Sequence, residues 1–157
     1  MMMMAKEIER KFLVKESWQP QAAGVQIAQG YLSTVPERTV RVRIKGDKAF
    51  LTIKGRNQGI SRAEFEYEIP VSDAQELLAL AEQPVLNKIR YLEKYEDFIW
   101  EIDVFAGENE GLVVAEIELP AEDADFAKPE WLGEEVSGDV RYYNANLIKT
   151  PYKLWKK

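Results

Sequence analysis

The polar residues of this chain are sorted by sign. Glu7 and Glu9, then Glu64, Glu66 and Glu68, then Glu101 and Asp103, then Glu116 and Glu118 recur at alternate positions, as do Arg41 and Arg43, and Lys88 and Arg90. On an extended strand such neighbours share one face, ~6.7 Å apart. Like charges at that distance repel by ~0.6 kcal/mol in water and ~2.5 kcal/mol at an effective dielectric of about 20. Acidic and basic ladders set side by side would relieve part of this. Counter-ions would relieve more: cations among the carboxylates, a polyanion among the arginines and lysines. One charged pair on a solvated strand face is ordinary; repetition on most strands points to a shared polar lumen. Arginine forks bind phosphate oxygens at two points, and lysines act as compact charges. Clustered carboxylates hold Mg²⁺ or Mn²⁺, which bridges phosphate oxygens and activates water. Phosphoryl transfer asks for little beyond such positioning and charge stabilisation.

Composition narrows the chemistry further. The chain has 157 residues and neither histidine nor cysteine. That removes histidine-based triads, thiol nucleophiles and Cys/His zinc sites, leaving oxygen-ligated cations. There is no phosphate loop of the G-x-x-x-x-G-K-[ST] type. A formal charge of −6 disfavours nucleic acid and anionic membrane as partners. No apolar run approaches ~20 residues. The absence of cysteine and the charged N-terminal segment fit the cytoplasm. Residues 1–157 read as a single domain, monomeric or homodimeric, with a small polyanion as ligand.

The elements that must position the ladders alternate with period two. Strands are predicted over 6–14, 25–33, 39–44, 49–54, 62–69, 86–95, 98–105 and 112–119, the third and fourth joined by a turn at 45–48. Their second faces carry Ile8, Phe12, Val42, Leu51, Phe65, Tyr67, Trp100, Ile102, Val113 and Ile117, which are predicted to be buried outside the lumen. A helix is predicted after Pro70, with Ser72-Asp73-Ala74-Gln75 as a capping box and Ala74, Leu77, Leu78 and Ala81 as its apolar stripe. Short helices are predicted near 121–126 and 140–148. About eight strands with short connections predict a mainly β fold: an eight-stranded antiparallel closed barrel with a few flanking helices.

The segments Glu7-Ile8-Glu9-Arg10-Lys11, Arg41-Val42-Arg43, Thr52-Ile53-Lys54, Glu64-Phe65-Glu66, Lys88-Ile89-Arg90, Trp100-Glu101-Ile102-Asp103, Glu116-Ile117-Glu118 and Asp139-Val140-Arg141-Tyr142 occur in that order. Together they resemble the CYTH domain, the triphosphate tunnel metalloenzymes, across the whole chain. Gln29-Gly30-Tyr31-Leu32, Gly59-Ile60-Ser61-Arg62 and Glu134-Glu135-Val136 resemble the short bacterial inorganic triphosphatases of that family.

The resemblance implies hydrolysis of tripolyphosphate to pyrophosphate and phosphate with Mg²⁺ or Mn²⁺. It leaves open an adenylate cyclase or thiamine triphosphatase of the same superfamily, or a non-catalytic module that binds polyphosphate or nucleoside triphosphate. By matching position it implies Glu7, Glu9, Glu116 and Glu118 as metal ligands. Arg41, Arg43, Lys54, Arg90, Arg141 and Tyr31 would bind substrate, and Glu64, Glu66, Glu101 and Asp103 would be further tunnel carboxylates. Lys11 and Lys88 would be catalytic, their compact charges close to the attacked phosphorus.

Overall fold

A computed structural model describes residues 6–155 except 57 and 59, with backbone only for Lys6 and Glu7. The strands are β1 (Lys6–Val14), β2 (Val25–Ser33), β3 (Arg38–Lys45), β4 (Lys48–Gly55), β5 (Ser61–Ile69), β6 (Leu86–Tyr95), β7 (Phe98–Phe105), β8 (Val113–Glu118) and β9 (Leu132–Glu135). The helices are α1 (Val71–Leu80) and α2 (Asn144–Lys149). The strand order is β5-β4-β3-β2-β6-β7-β8-β1-β9, and β1 also pairs with β5. All pairings are antiparallel, and the first eight strands close into a barrel. β1 makes the closure by dividing its length: Lys6, Glu7 and Ile8 pair with β5, whereas Glu9 to Leu13 pair with β8.

The alternation sends one face of each strand outward. Phe12, Trp100, Ile102 and Ile117 form an outer core, overlaid by Trp18, Phe126 and Trp131. Its rings meet edge to face, Phe12 on Trp100 at 5.7 Å and Trp100 on Trp131 at 5.6 Å, a favoured aromatic geometry. Both Glu93 carboxylate oxygens accept from indoles, Trp18 Nε1 at 3.0 Å and Trp131 Nε1 at 2.9 Å. This clasp ties two long connections to β6. On another side α1 buries Ala74 and lays Leu77 and Leu78 over Val42 and Ala49. A Cβ on Gly30 would lie 2.8 Å from that of Ala81, so glycine lets the end of α1 close on β2. On β5 only Ile69 packs into this cluster, whereas Phe65 is 46% and Tyr67 57% exposed; the predicted burial of these two does not occur.

Inside, the polar ladders end in an apolar plug. Leu86, Phe105 and Val114 lie one alternation step from Lys88, Asp103 and Glu116 on the same faces. They pack with Tyr31, Tyr142 and with Leu147 and Ile148 of α2. One end of the lumen is therefore filled by core, and the charged part lies above it.

Other departures are local. α1 starts at Val71, with Pro70 as its N-cap and no side-chain cap bond; Ser72 falls inside the first turn because Ala74 N–H already bonds to the Pro70 carbonyl at 3.1 Å. Residues 121–126 make one turn, with Ala124 N–H on the Ala121 carbonyl, rather than a helix; Phe126 is drawn into the outer core. The predicted helix over 140–148 is two pieces, a 3₁₀ turn Val140–Tyr142 and α2, separated by extended Tyr143. Lys11 Nζ donates to the Tyr142 carbonyl at 3.0 Å, which diverts that acceptor from a continuous helix. β9 had no counterpart among the predicted strands.

The β6–β7 hairpin supplies a stability test. Tyr95 pairs with Phe98, so Glu96 and Asp97 form the turn, and Glu96 has φ 54. A residue with a Cβ pays about 1–2 kcal/mol for that conformation, and glycine does not, although glycine loses more entropy on folding. Glu96→Gly is expected to raise the melting temperature by roughly 1–4 °C in a thermal melt; a fall would mean that the Glu96 side chain contributes more than its backbone costs.

Candidate active site

A cavity of about 690 Å³ opens inside the barrel above the plug. Glu9 and Lys11 of β1, Tyr31 of β2, Arg41 and Arg43 of β3 and Lys54 of β4 are on its wall. So are Glu64 and Glu66 of β5, Arg90 of β6, Glu101 of β7, and Glu116 and Glu118 of β8. The register explains how so many like-charged ladders coexist. Across β3, β4 and β5 one row reads Arg41, Thr52, Glu66 and the next Thr39, Lys54, Glu64. Across β6, β7, β8 and β1 a row reads Leu92, Glu101, Glu116, Lys11. On the β3–β5 side, repulsion along each strand is offset by attraction between strands; on the other side Glu101 faces Glu116, and Arg90 and Lys11 supply the balancing charge. Arg41 reaches Thr52 Oγ1 at 3.3 Å, and that hydroxyl donates to Glu66 Oε1 at 2.8 Å. Lys54 lies 3.6 Å from Glu64.

Arg90 is the hub of the acidic side. Its Nε and Nη2 donate to the two oxygens of Asp103 at 2.8 and 2.9 Å. Glu101 lies 3.3 Å and Glu116 3.9 Å from the same guanidinium. Burial works against that charge, but Asp103, Glu101 and Glu116 together raise the Arg90 pKa above its ordinary value. Burial likewise disfavours charge on Glu116; Lys11, a hydrogen bond shared with Glu9, and Arg90 outweigh it and hold the carboxyl down at about 2.

Three of the predicted residues are not on the cavity wall. Lys88 is 2% exposed, lies 2.7 Å from Asp103 Oδ2 and sits 5.4 Å from the centre of the Phe105 ring. Alternation gave its inward direction correctly, but its depth puts it beneath the cavity floor, against the plug. Burial pushes its ammonium down to about 7 despite the pull of Asp103. Asp103 is 1% exposed and equally deep; burial opposes its charge, yet Lys88 and Arg90 keep its carboxyl well below the usual carboxylate range. Arg141 is solvent-exposed, 2.7 Å from Asp139 and beside the rings of Tyr142 and Trp155. The Asp139 capping turn holds it there. The Glu7 side chain lies outside the described residues.

The wall also holds residues the sequence reading did not assign to the site. Arg62 and Lys45 extend the β5 and β3 alternation, so their inward direction is legible in the sequence. Ser137, Tyr143 and Asn144 come from the segment leading into α2, where no periodicity marks them. Gln29 lies just behind the wall, fully buried, with Oε1 accepting from Arg43 Nε at 3.0 Å.

The wall suits an oxygen-ligated divalent cation. Glu9 faces Glu118, and Lys11 faces Glu116, across the β1–β8 pair. Among the described residues no three acidic groups close into a ready-made cage. Mg²⁺ does not require one, because it typically takes one or two carboxylates and completes its shell with water and phosphate oxygens. Opposite, Arg41 Nε is buried with no hydrogen-bond partner, and Arg43 donates through Nε to the amide oxygen of Gln29 rather than to a carboxylate. The cavity thus has an acidic wall and, across from it, cationic groups with donor capacity to spare. No helix among the described residues is long and apolar enough to cross a membrane.

The chain is similar to known proteins. An inorganic triphosphatase of Acetivibrio thermocellus is 54% identical over 156 residues, covering 98% of this chain and all of that protein. An inorganic triphosphatase of Nitrosomonas europaea is 40% identical over 145 residues, 90% of this chain and 95% of that one. The crystal structure of an inorganic triphosphatase, 38% identical, superposes with a TM-score of 0.66 over 90% of this chain and 96% of that one. A protein of Pyrococcus horikoshii shares the fold at 19% identity, with a TM-score of 0.54 over 74% of this chain and 81% of that one. The CYTH domain model matches residues 5–152, and this chain belongs to the CYTH domain family.

Proposed function

We propose that this chain hydrolyses inorganic triphosphate to pyrophosphate and phosphate in its barrel cavity, with Mg²⁺ or Mn²⁺ as cofactor. The observation that carries the reading is the opposition, across one cavity, of Arg41, Arg43 and Lys54 to Glu9, Glu116 and Glu118. The two relatives named as inorganic triphosphatases support it.

Arg41 and Arg43 grip the phosphate chain by their forks, and Lys54 adds a point charge. Water attacks the terminal phosphorus, the bridging P–O bond breaks, and pyrophosphate leaves. Glu9, Glu116 and Glu118 would hold the divalent cation, which when bound would supply charge neutralisation for the phosphates and a lowered pKa for water. Lys11, beside Glu116, neutralises charge that develops as the bond breaks. Lys88 and Asp103 act from below the floor by holding Arg90 in place; the solvent-exposed Arg141 carries no part of this reading.

The test is phosphate release from tripolyphosphate, pyrophosphate, ATP and thiamine triphosphate with Mg²⁺ or Mn²⁺, cyclic AMP being assayed in the ATP arm. Tripolyphosphate is expected to be the preferred substrate; cyclic AMP production, or binding without turnover, would overturn the assignment. Arg41→Ala is expected to raise KM by roughly tenfold or more, the loss of one charge-assisted contact, with kcat less affected. An unchanged KM would remove Arg41 from the binding set.

A further inference from the structure

The inner face of β2 separates two cationic strands and is itself uncharged. Ile27, Gln29 and Tyr31 alternate along it. Gln29 pairs with Arg43 of β3 on one side, and Ile27 with Lys88 of β6 on the other. Gln29 is fully buried and does not line the cavity. Its Oε1 accepts from Arg43 Nε at 3.0 Å, and its Nε2 donates to the Tyr31 hydroxyl at 3.4 Å. Arg43 and Tyr31 are both on the cavity wall.

The neutrality of this partner is the informative feature. A buried guanidinium ordinarily takes a carboxylate, as Arg90 takes Asp103. Arg43 is 8% exposed, and its described acceptor is an amide oxygen. Burial, with Arg41 and Arg90 nearby, pushes its pKa down to about 9, so the site retains a cation under strain from its surroundings. An amide oxygen orients the fork through Nε without cancelling its charge. A carboxylate of the same size would satisfy Arg43 in the empty protein and compete with an incoming phosphate.

We infer that Gln29 is a positioning residue for triphosphate binding: its neutral side chain fixes Arg43 and Tyr31 at the cavity wall and leaves the Arg43 charge available to the phosphate chain. The inference rests on the proposed triphosphatase reading, in which Arg43 binds phosphate.

Gln29→Glu, Gln29→Met and Arg43→Ala test it, each measured for KM and kcat on tripolyphosphate and for the melting temperature with and without tripolyphosphate in the absence of metal. Gln29→Glu is expected to melt at or above the parent temperature when empty. Its KM is expected to rise by roughly tenfold or more, with kcat within about threefold, and tripolyphosphate should raise its melting temperature less than it raises the parent's. Gln29→Met keeps the volume but leaves Arg43 Nε without its acceptor, so it is expected to melt lower than Gln29→Glu. An amide that served packing alone would leave KM unchanged in every folded Gln29 variant, which overturns the inference. A Gln29→Glu protein that melts well below the parent overturns it too, because the new carboxylate should suit Arg43. If Arg43→Ala leaves KM unchanged, the phosphate-binding reading itself fails; if Arg43→Ala raises KM and Gln29→Glu does not, only the role of Gln29 is lost.

Discussion

Asp103→Asn is expected to lower the melting temperature by roughly 6–20 °C, the largest stability loss at any single position considered. The carboxylate is 1% exposed and balances two buried cations, Lys88 at 2.7 Å and Arg90 through two hydrogen bonds. Removing one partner of a buried ion pair costs about 3–5 kcal/mol, because the other charge stays behind without water, and each kcal/mol shifts a domain of this size by roughly 2–4 °C. The two cations respond differently. Lys88, already pushed down to about 7, can release its proton; Arg90 cannot, and it keeps only Glu101 and Glu116 at 3.3 and 3.9 Å. Arg90→Met in the Asp103→Asn background is therefore expected to recover a substantial part of the loss. If the double variant melts no higher than the single one, stranded charge is not the cause. The pH dependence follows from the depressed Asp103 pKa. Its contribution is complete above the unfolded carboxyl value near about 4 and fades below it, where the unfolded chain gains a proton that the folded chain does not. The gap between parent and Asp103→Asn should narrow as pH falls through that region.

This cluster also marks how far the sequence could be read. Period-two alternation and sign sorting identified eight strands and which face of each turns inward, because both depend on side-chain direction alone. Direction is not depth. Lys88 and Arg90 look equivalent in sequence, yet one is beneath the floor and the other on the wall. The difference arises from Leu86, Phe105 and Val114, which join α2 in the plug. That contact joins β6, β7 and β8 to a helix well beyond them in the chain, and no local pattern records it.

The missed elements have equally local reasons. β9 is four residues long and contains Gly133, whose Cβ would lie 2.9 Å from the Leu13 carbonyl; its strand form comes from pairing with β1, not from its own composition. Gln29 carries no charge, so sign sorting does not mark it, and that neutrality is its significance. Arg141 follows from the resemblance alone, and its pairing with Asp139 leaves it exposed and off the cavity wall.

The largest effect on turnover is expected at the acidic wall. Glutamine keeps the size and one acceptor of glutamate but not its charge, so Glu9→Gln combined with Glu116→Gln isolates the electrostatic contribution. With Mg²⁺ at millimolar levels, kcat/KM for tripolyphosphate is expected to fall roughly 10³-fold, equivalent to about 4 kcal/mol of transition-state stabilisation. The fold should survive. The change removes two carboxylates that share a hydrogen bond, relieving repulsion, while Lys11 keeps its bond to the Tyr142 carbonyl. A melt separates binding from turnover: Mn²⁺ is expected to raise the melting temperature of the parent protein and to raise that of the variant much less. Recovery of turnover at high Mn²⁺ would place the loss in cation affinity, and persistent loss would place it in the reaction itself. Near-normal turnover in the variant would remove Glu9 and Glu116 from the chemistry, and full activity of the parent in chelator would remove the cation. A variant that lost turnover but kept the full Mn²⁺ response would leave the cation to other carboxylates of the wall, with Glu9 and Glu116 acting through Lys11 and Arg90 instead.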